Sequence, residues 1–202
     1  HGQLTTGRLH IMRLVEGHAI NDVDAPTWIV VDGQRKRDPH YRTWRNMLSR
    51  AYDPSYQERQ PTYLGTSVCD DWLRFSAFKS WMTEQDWQGK HLDKDILVPG
   101  NKIYAPDRCL FVDPAINTLL NDCGAARGRY PLGVYWDKEK KKYRARVRSY
   151  GTHKNLGLYD NVEEASRVYR DAKSSYVRAI ADEQTEPLRS ALHRHADKIQ
   201  HG

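Results

Sequence analysis

The sequence is short of cysteine and of long apolar segments, and each shortage excludes a class of protein. The three cysteines, Cys69, Cys109 and Cys123, form no CxxC pair, which excludes a disulfide scaffold and disfavours structural zinc. No apolar run approaches the roughly 18 residues of a membrane helix, so no membrane partner is expected. Unpaired thiols predict a reducing, cytoplasmic setting. Residues 1–11, which precede Met12, are interpreted as added or disordered sequence.

Aliphatic residues are also scarce, while aromatic and basic residues are plentiful. The 202 residues are 39% hydrophobic but include six Trp and twelve Tyr, which predicts small domains anchored by aromatic side chains. The net charge is +6, and its distribution is uneven. Residues 125–160 hold ten basic side chains against three acidic ones, so the rest of the chain is close to neutral. The basic segment predicts a polyanionic partner.

The pattern along the chain predicts an α+β fold. An N-terminal α+β domain is expected over 12–123, a linker over 124–130, a three-stranded antiparallel sheet packed on one helix over 131–182, and a polar tail over 183–202. Within the first domain, the spacing of Tyr41, Trp44 and Leu48 predicts a helix over 40–52. A second helix is expected to begin after Asp70 or Asp71. The segment 28–37 is interpreted as a short strand followed by a basic loop.

The segment 143–148 predicts a strand with two different faces. Successive side chains of a strand point to opposite sides, so Tyr143, Ala145 and Val147 face a core while three arginines form an exposed row about 6–7 Å apart. Strands at 133–136 and 155–159 flank it, and a helix is expected from Asn161, with Glu164 completing a capping-box-like signal. The helix covers one sheet face and leaves the arginine face open, and such a face suits phosphates and guanine edges.

These positions resemble a known family. The pattern Gly133-Val134-Tyr135, Tyr143-Arg144-Ala145, Leu156-Gly157-Leu158-Tyr159 and Glu163-Glu164-Ala165, with Tyr169, is similar to the plant ethylene-response-factor type DNA-binding domain. That domain also occurs in phage and mobile-element endonucleases. The resemblance implies double-stranded DNA as the partner, with an arginine more usual at position 135. The implied DNA-contacting residues are Tyr135, Arg144, Arg146, Arg148 and Lys154. The turn residues Lys140, Lys141 and Lys142 are expected to contact phosphates, because lysine is a flexible point charge.

A second functional pattern lies in the segment 91–120. Alternation places His91, Asp93 and Asp95 on one face of a predicted first strand, 91–97, and a second strand is expected over 108–112. Asp113 followed by Pro114 predicts a helix start. The order is strand, turn, strand, helix.

This order resembles the ββα-metal core of phage HNH endonucleases. The resemblance implies a divalent metal, Mg²⁺ or similar, held by Asp93 and Asn117, with Asn101 orienting the general base. The position expected to carry the base histidine holds Lys94, so His91 on the same strand is the candidate substitute. The catalytic set implied in this way is His91, Asp93, Asn101 and Asn117.

Three functions remain open from the sequence. The first is a phage-like HNH endonuclease that binds double-stranded DNA selectively and cleaves it with a metal ion. The second is a non-catalytic DNA-binding regulator or accessory protein with a degenerate core. The third is an antagonist that binds host proteins through the aromatic N-terminal half. The expected location is the cytoplasm of a bacterial or phage-infected cell.

Overall fold

The structure is a computed structural model that describes residues 14–120, 129–149 and 151–202. Several predictions therefore fall outside the described residues: those for residues 1–11, for Cys123 and for most of the linker 124–130. The fold is α+β, as predicted, and the chain forms two compact units, His1–Val112 and Asp113–Gly202.

The strands are β1 (Trp28–Val31), β2 (Gln34–Arg37), β3 (Ser67–Val68), β4 (His91–Asp93), β5 (Ile103–Tyr104), β6 (Leu110–Val112), β7 (Val134–Asp137), β8 (Lys142–Ser149) and β9 (Thr152–Tyr159). The α-helices are α1 (Pro39–Tyr52), α2 (Pro54–Arg59), α3 (Phe75–Thr83), α4 (Pro114–Leu120), α5 (Val162–Asp182) and α6 (Leu188–His201), with 3₁₀ turns at Pro61–Tyr63 and Asp70–Leu73.

Helix α1 forms where the sequence predicts it. The carboxylate of Asp38 accepts the backbone N–H of Tyr41 at 2.9 Å, which satisfies one of the orphan donors at the helix start. Pro39 occupies the first turn, where its missing N–H costs nothing. The stripe of Tyr41, Trp44 and Leu48 is buried, as its spacing predicts.

The second predicted helix begins later than Asp70 or Asp71 indicate. The residues after Cys69 form a 3₁₀ turn, and α3 starts only at Phe75. A short strand-like bridge explains the interruption. Ile20 donates its N–H to the carbonyl of Leu73 at 2.8 Å and accepts the N–H of Phe75 at 3.0 Å, which holds Arg74 in an extended conformation. The prediction of this helix start is therefore wrong by one turn.

Aromatic side chains make the core of the first unit. Trp44, Trp72 and Phe78 are at most 1% exposed, and the indole N–H of Trp44 donates to the carbonyl of Trp72 at 2.7 Å. Burying an indole is costly unless its N–H finds an acceptor, so this bond fixes α1 against the turn that carries Trp72.

Strands β4 and β6 pair antiparallel, with Leu92 opposite Phe111. Strand β4 ends at Asp93 rather than extending to 97, because Asp93 Oδ1 accepts the N–H groups of Asp95 and Ile96 and closes a turn. Asp95 therefore does not continue the strand face with His91 and Asp93. The predicted second strand is shorter than expected, and β5, which pairs parallel with β3, was not predicted at all.

The second unit contains the predicted three-stranded sheet, in the order β7-β8-β9, packed on α5. Asn161 caps α5 through its side-chain oxygen, which accepts from Glu163 and Glu164. Gly133 allows α5 to approach the sheet closely. Its φ is +77°, and a Cβ there would lie 2.0 Å from the ring of Tyr169.

The predicted polar tail carries a sixth helix. Helix α6 packs on the second half of α5 through small residues, and Ala181, Ala191 and Ala196 are fully buried. The buried hydroxyl of Ser174 donates to the carbonyl of Ala196 at 3.0 Å. Helix α5 therefore has two partners along its length, the sheet near its start and α6 near its end.

Candidate nucleic-acid interface

Pairing across the three-stranded sheet defines one polar face. Side chains of directly opposed residues lie on the same side of a sheet. In β8, Arg144 lies opposite Tyr135 of β7 and Leu158 of β9. The intervening Ala145 and Val147 are 0% and 3% exposed, so the alternation predicted for this strand is confirmed. We call the opposite side the arginine face; its members are Tyr135, Asp137, Lys142, Arg144, Arg146, Arg148, His153, Asn155 and Leu158.

Arg146 and Tyr135 form the centre of this face. A guanidinium nitrogen of Arg146 donates to the Tyr135 hydroxyl at 3.3 Å, and its central carbon lies 5.8 Å from the ring centroid. Tyr135 is 37% exposed. The tyrosine thus supports the guanidinium with a planar surface and leaves its remaining donors available to a ligand.

Arg148 lies at the other end of the row and is exposed. In the part of the chain that the structure describes, it makes no ion pair. Its cross-strand partner is His153, and Asn155 is the partner of Arg146. Sequence reasoning missed both of these residues. Only the register of β8 against β9, which includes a bulge between Ala145 and Arg146, brings them to the arginine face.

Arg144 differs from the other two arginines because it is held by an acid. Its Nε donates to Asp137 Oδ2 at 3.1 Å, and its Nη2 contacts the same oxygen. The hydrogen bond from Arg144 holds the pKa of the Asp137 carboxyl below its ordinary value. The charge of Arg144 is thus already compensated within the protein, which the row of arginines in the sequence does not indicate.

The turn between β7 and β8 presents the predicted lysines. Asp137 Oδ1 accepts the N–H groups of Glu139 and Lys140 at 3.1 and 3.0 Å, which orders the turn. Lys140 and Lys141 are exposed. Lys142 is paired with Asp160 at 3.1 Å at a solvent-exposed position, so its contribution is weak.

Lys154 is placed differently from its predicted companions. It lies opposite Val147, so its side chain leaves the sheet on the side away from the arginine face. The sequence indicated only that it follows the β8–β9 turn. The observed register removes it from the set of residues that share this face.

The predicted catalytic loop of the first unit is built quite differently. His91 is exposed on β4, and Leu92 beside it is buried. Lys94, at the position expected for the base, is only 5% exposed. Its ammonium donates to both oxygens of Asp95, at 2.8 and 2.7 Å, and to the carbonyl of Asn101 at 2.8 Å. These three contacts use the hydrogen-bond donors of the Lys94 Nζ within the fold.

Asn101 ties the two sides of this loop together. Its amide nitrogen donates to the carbonyls of Lys94 and Ile103 at 2.8 and 2.7 Å, and its oxygen accepts the N–H of Ile103 at 3.1 Å. A contact from the central asparagine to the residue at the base position is what the HNH resemblance implies. Here that residue is a buried lysine.

The metal ligands that the HNH resemblance implies are Asp93 and Asn117. Asp93 Oδ1 accepts the backbone N–H groups of Asp95 and Ile96, and these two bonds do not involve its second carboxylate oxygen. Asn117 belongs to the second unit, in helix α4, whose first turn is capped by Asp113. Over residues 14–120, 129–149 and 151–202 there is no group of three or more His, Cys, Asp or Glu side chains with a geometry suited to a metal ion.

The two described cysteines, Cys69 and Cys109, are free thiols. Burial raises the pKa of the Cys109 thiol to about 12, so this sulfur is an inert part of the core.

Comparison of the chain with protein-family models, with curated proteins and with solved structures finds no match. Among the described residues, no helix has both the length and the apolar character needed to cross a membrane.

Proposed function

We propose that the protein binds double-stranded DNA sequence-selectively through the arginine face of the β7–β9 sheet. The observation that carries this proposal is the pair Arg146 and Arg148. They lie two residues apart on the same face of β8, with a tyrosine supporting the first and no described acid paired with either.

The chemistry of these side chains suits DNA. A guanidinium donates two parallel hydrogen bonds to the O6 and N7 atoms of guanine, and strands can enter the major groove as helices do. His153 and Asn155 widen the same face with side chains able to donate and accept hydrogen bonds. Lys140 and Lys141 in the adjoining turn serve as phosphate contacts, which position the sheet without reading sequence.

In this proposal the loop 93–101 is a scaffold, and the protein is a DNA-binding regulator or accessory protein of a bacterial or phage-infected cytoplasm. The occupied hydrogen-bonding groups of Lys94 and Asn101 support this role. The second candidate is a metal-dependent HNH-type endonuclease. One observation favours it, the contact of Asn101 with the carbonyl of Lys94.

Binding is tested with a fluorescently labelled duplex library over a range of salt concentrations. The variant Arg146→Ala/Arg148→Ala is compared with Arg167→Ala/Lys198→Ala, which removes the same charge from exposed helix positions of the same unit. We expect the first variant to lose its sequence preference and at least about 30-fold in affinity, because each of the two base-reading arginines contributes about 1–3 kcal/mol and every 1.4 kcal/mol is tenfold. The control variant is expected to lose little. Equal losses in the two variants would reject the arginine face as the reading surface.

Cleavage is tested separately with supercoiled and linear DNA in Mg²⁺, Mn²⁺, Ni²⁺ or Zn²⁺. The scaffold role predicts intact DNA under conditions in which the protein binds. Cleavage that disappears in Asp93→Ala and in Asn117→Ala would replace the scaffold role with the endonuclease.

A further inference from the structure

The β1–β2 hairpin of the first unit carries exposed apolar and basic side chains that do not belong to the described core of that unit. All residues of both strands are exposed. Trp28 is 39% exposed and Val30 is 74% exposed, and none of the four β1 side chains joins the buried core of the unit. Solvent-facing tryptophan and valine on a regular hairpin cost free energy unless a partner covers them.

The hairpin is well defined despite its exposure. Asp32 and Gly33 form its two-residue turn, both with positive φ, 52° and 72°, as a tight turn of this kind requires. Trp28 pairs with Arg37, and Val30 pairs with Arg35. These four residues therefore share one face of the hairpin, and Lys36 lies on the other face with Ile29.

On the first face the arginines stack on the tryptophan. The guanidinium carbons of Arg35 and Arg37 lie 5.1 and 4.4 Å from the Trp28 ring centroid, and that of Arg37 lies 5.5 Å from the ring of Tyr41. Stacking on rings restricts each guanidinium while its N–H groups stay exposed. In the described ranges neither arginine forms an ion pair, and the nearest acid in sequence, Asp38, is used to cap α1.

The charge of the hairpin is opposite to that of its surroundings. Residues 28–37 hold three cations and one acid, while the rest of 14–112 holds ten cations and thirteen acids. A local positive element on an otherwise acidic unit is complementary to a polyanion. A second copy of the same face is a poor partner, because a two-fold contact would bring like charges together.

We propose that the β1–β2 hairpin is a second contact element for double-stranded DNA. This inference rests on the proposed function, since it adds a contact to the same ligand. Paired strands lie only about 5 Å apart, so the hairpin is a two-stranded ribbon narrow enough for the major groove, which is about 12 Å wide. Arg35 and Arg37 contact phosphates from the face that they share with Trp28 and Val30, and these two side chains face the sugars or bases and lose their exposure. Lys36, on the other face, adds its charge and a contact to the phosphates at the edge of the groove.

The test uses the full chain with a hairpin variant, a control variant of matched charge and the sheet variant. The hairpin variant is Arg35→Ala/Lys36→Ala/Arg37→Ala, and its control is Arg59→Ala/Arg74→Ala/Lys102→Ala, which removes three other exposed cations from the same unit. The sheet variant is Arg146→Ala/Arg148→Ala. Each is measured for duplex affinity against salt, for its hydroxyl-radical footprint on one selected duplex, and for its thermal unfolding.

We expect the hairpin variant to unfold as the unaltered protein does and to bind about tenfold more weakly. Its log affinity against log salt should have a slope shallower by about 2–3, because each phosphate contact contributes about 0.9. Its footprint should lose one protected patch and keep the patch that depends on the sheet. Trp28→Ala, which keeps all three charges, should weaken binding by about two- to fivefold through the lost stacking.

Two results would overturn this inference alone. The first is a hairpin variant with the affinity, salt slope and footprint of its control, while the sheet variant fails to bind. The second is unchanged DNA binding together with self-association, or with binding of another protein, that disappears in the hairpin variant. If the unaltered chain binds no duplex at all, the proposed function and the hairpin inference both fall.

Discussion

The arginine face of the second unit and the loop 93–101 of the first unit both present polar side chains that a sequence pattern marks as functional. The two regions differ in whether the hydrogen-bonding groups of these side chains are free to contact a ligand. Among the described residues, Arg146 makes one side-chain hydrogen bond, to the Tyr135 hydroxyl, and Arg148 is exposed. Lys94 and Asn101 are buried and bonded to groups of their own unit. A polar residue at a position that a sequence pattern marks as functional is therefore informative about ligand binding only when its hydrogen-bonding groups are not already used within the fold.

The largest expected effect is a loss of stability when the hydrogen bonds of Asn101 in the loop 93–101 are removed. Asn101→Ala leaves the carbonyls of Lys94 and Ile103 and the N–H of Ile103 without their present partner. Because each unsatisfied buried group costs about 1–3 kcal/mol, we expect the first unit to lose about 3 kcal/mol of unfolding free energy. Urea denaturation measures this loss, with the exposed neighbour Lys102→Ala as the control. An unchanged urea midpoint would show that the hydrogen bonds of Asn101 do not stabilise the first unit.

On the arginine face we expect the reverse, a loss of binding without a loss of stability. Arg148→Ala should weaken DNA binding by about 1–3 kcal/mol, because an exposed base-reading arginine is removed. Its unfolding free energy should change by less than about 0.5 kcal/mol. Titration and denaturation of the same preparation separate the two effects. A variant that unfolds more easily but binds DNA normally would show that Arg148 stabilises the fold and does not contact DNA.

Asp137→Asn is expected to tighten DNA binding by a few-fold. Asparagine keeps a side-chain oxygen for the N–H groups of Glu139 and Lys140, while it releases Arg144 from its ion pair. The change also removes a negative charge that would lie close to phosphates. Affinity is compared in the unaltered protein, in Asp137→Asn and in Asp137→Asn/Arg144→Ala. A gain that survives the loss of Arg144 would assign the effect to charge alone.

The smallest expected effect is a change in how protein stability depends on pH in the acidic range. The pKa of Asp137 is lowered in the folded protein, so its stabilising effect is complete above the unfolded value of about 3.9. This stability is lost as the pH falls through the lower, folded value. Thermal unfolding at pH 5 and at pH 3 should therefore differ less in Asp137→Asn than in the unaltered protein. Identical differences would show that the contact with Arg144 adds no stability.

Local signals were sufficient for much of the fold. Asp113 and Asn161 cap helices as their sequence contexts predict, since capping depends on neighbours three or fewer residues away. The inward alternation of β8 follows from the strand period alone.

Contacts between distant segments determined what sequence reasoning missed. The bridge of Ile20 to Leu73 delays α3. The register of β9 against β8, in which Leu156 of β9 is bulged, moves Lys154 off the arginine face. The sequence also gave no indication that Asp137 would hold Arg144 or that Lys94 would be buried. Each of these depends on which segment packs where, and no short-range periodicity records that information.

Photo-crosslinking at two adjacent positions of β9 tests the central proposal most directly. Asn155 lies on the arginine face and Lys154 lies on the opposite side, and both are exposed. A photoreactive phenylalanine derivative placed at position 155 should crosslink efficiently to a bound duplex, and the same group at position 154 should crosslink poorly. Equal yields at the two positions, or a higher yield at position 154, would contradict DNA binding through the arginine face.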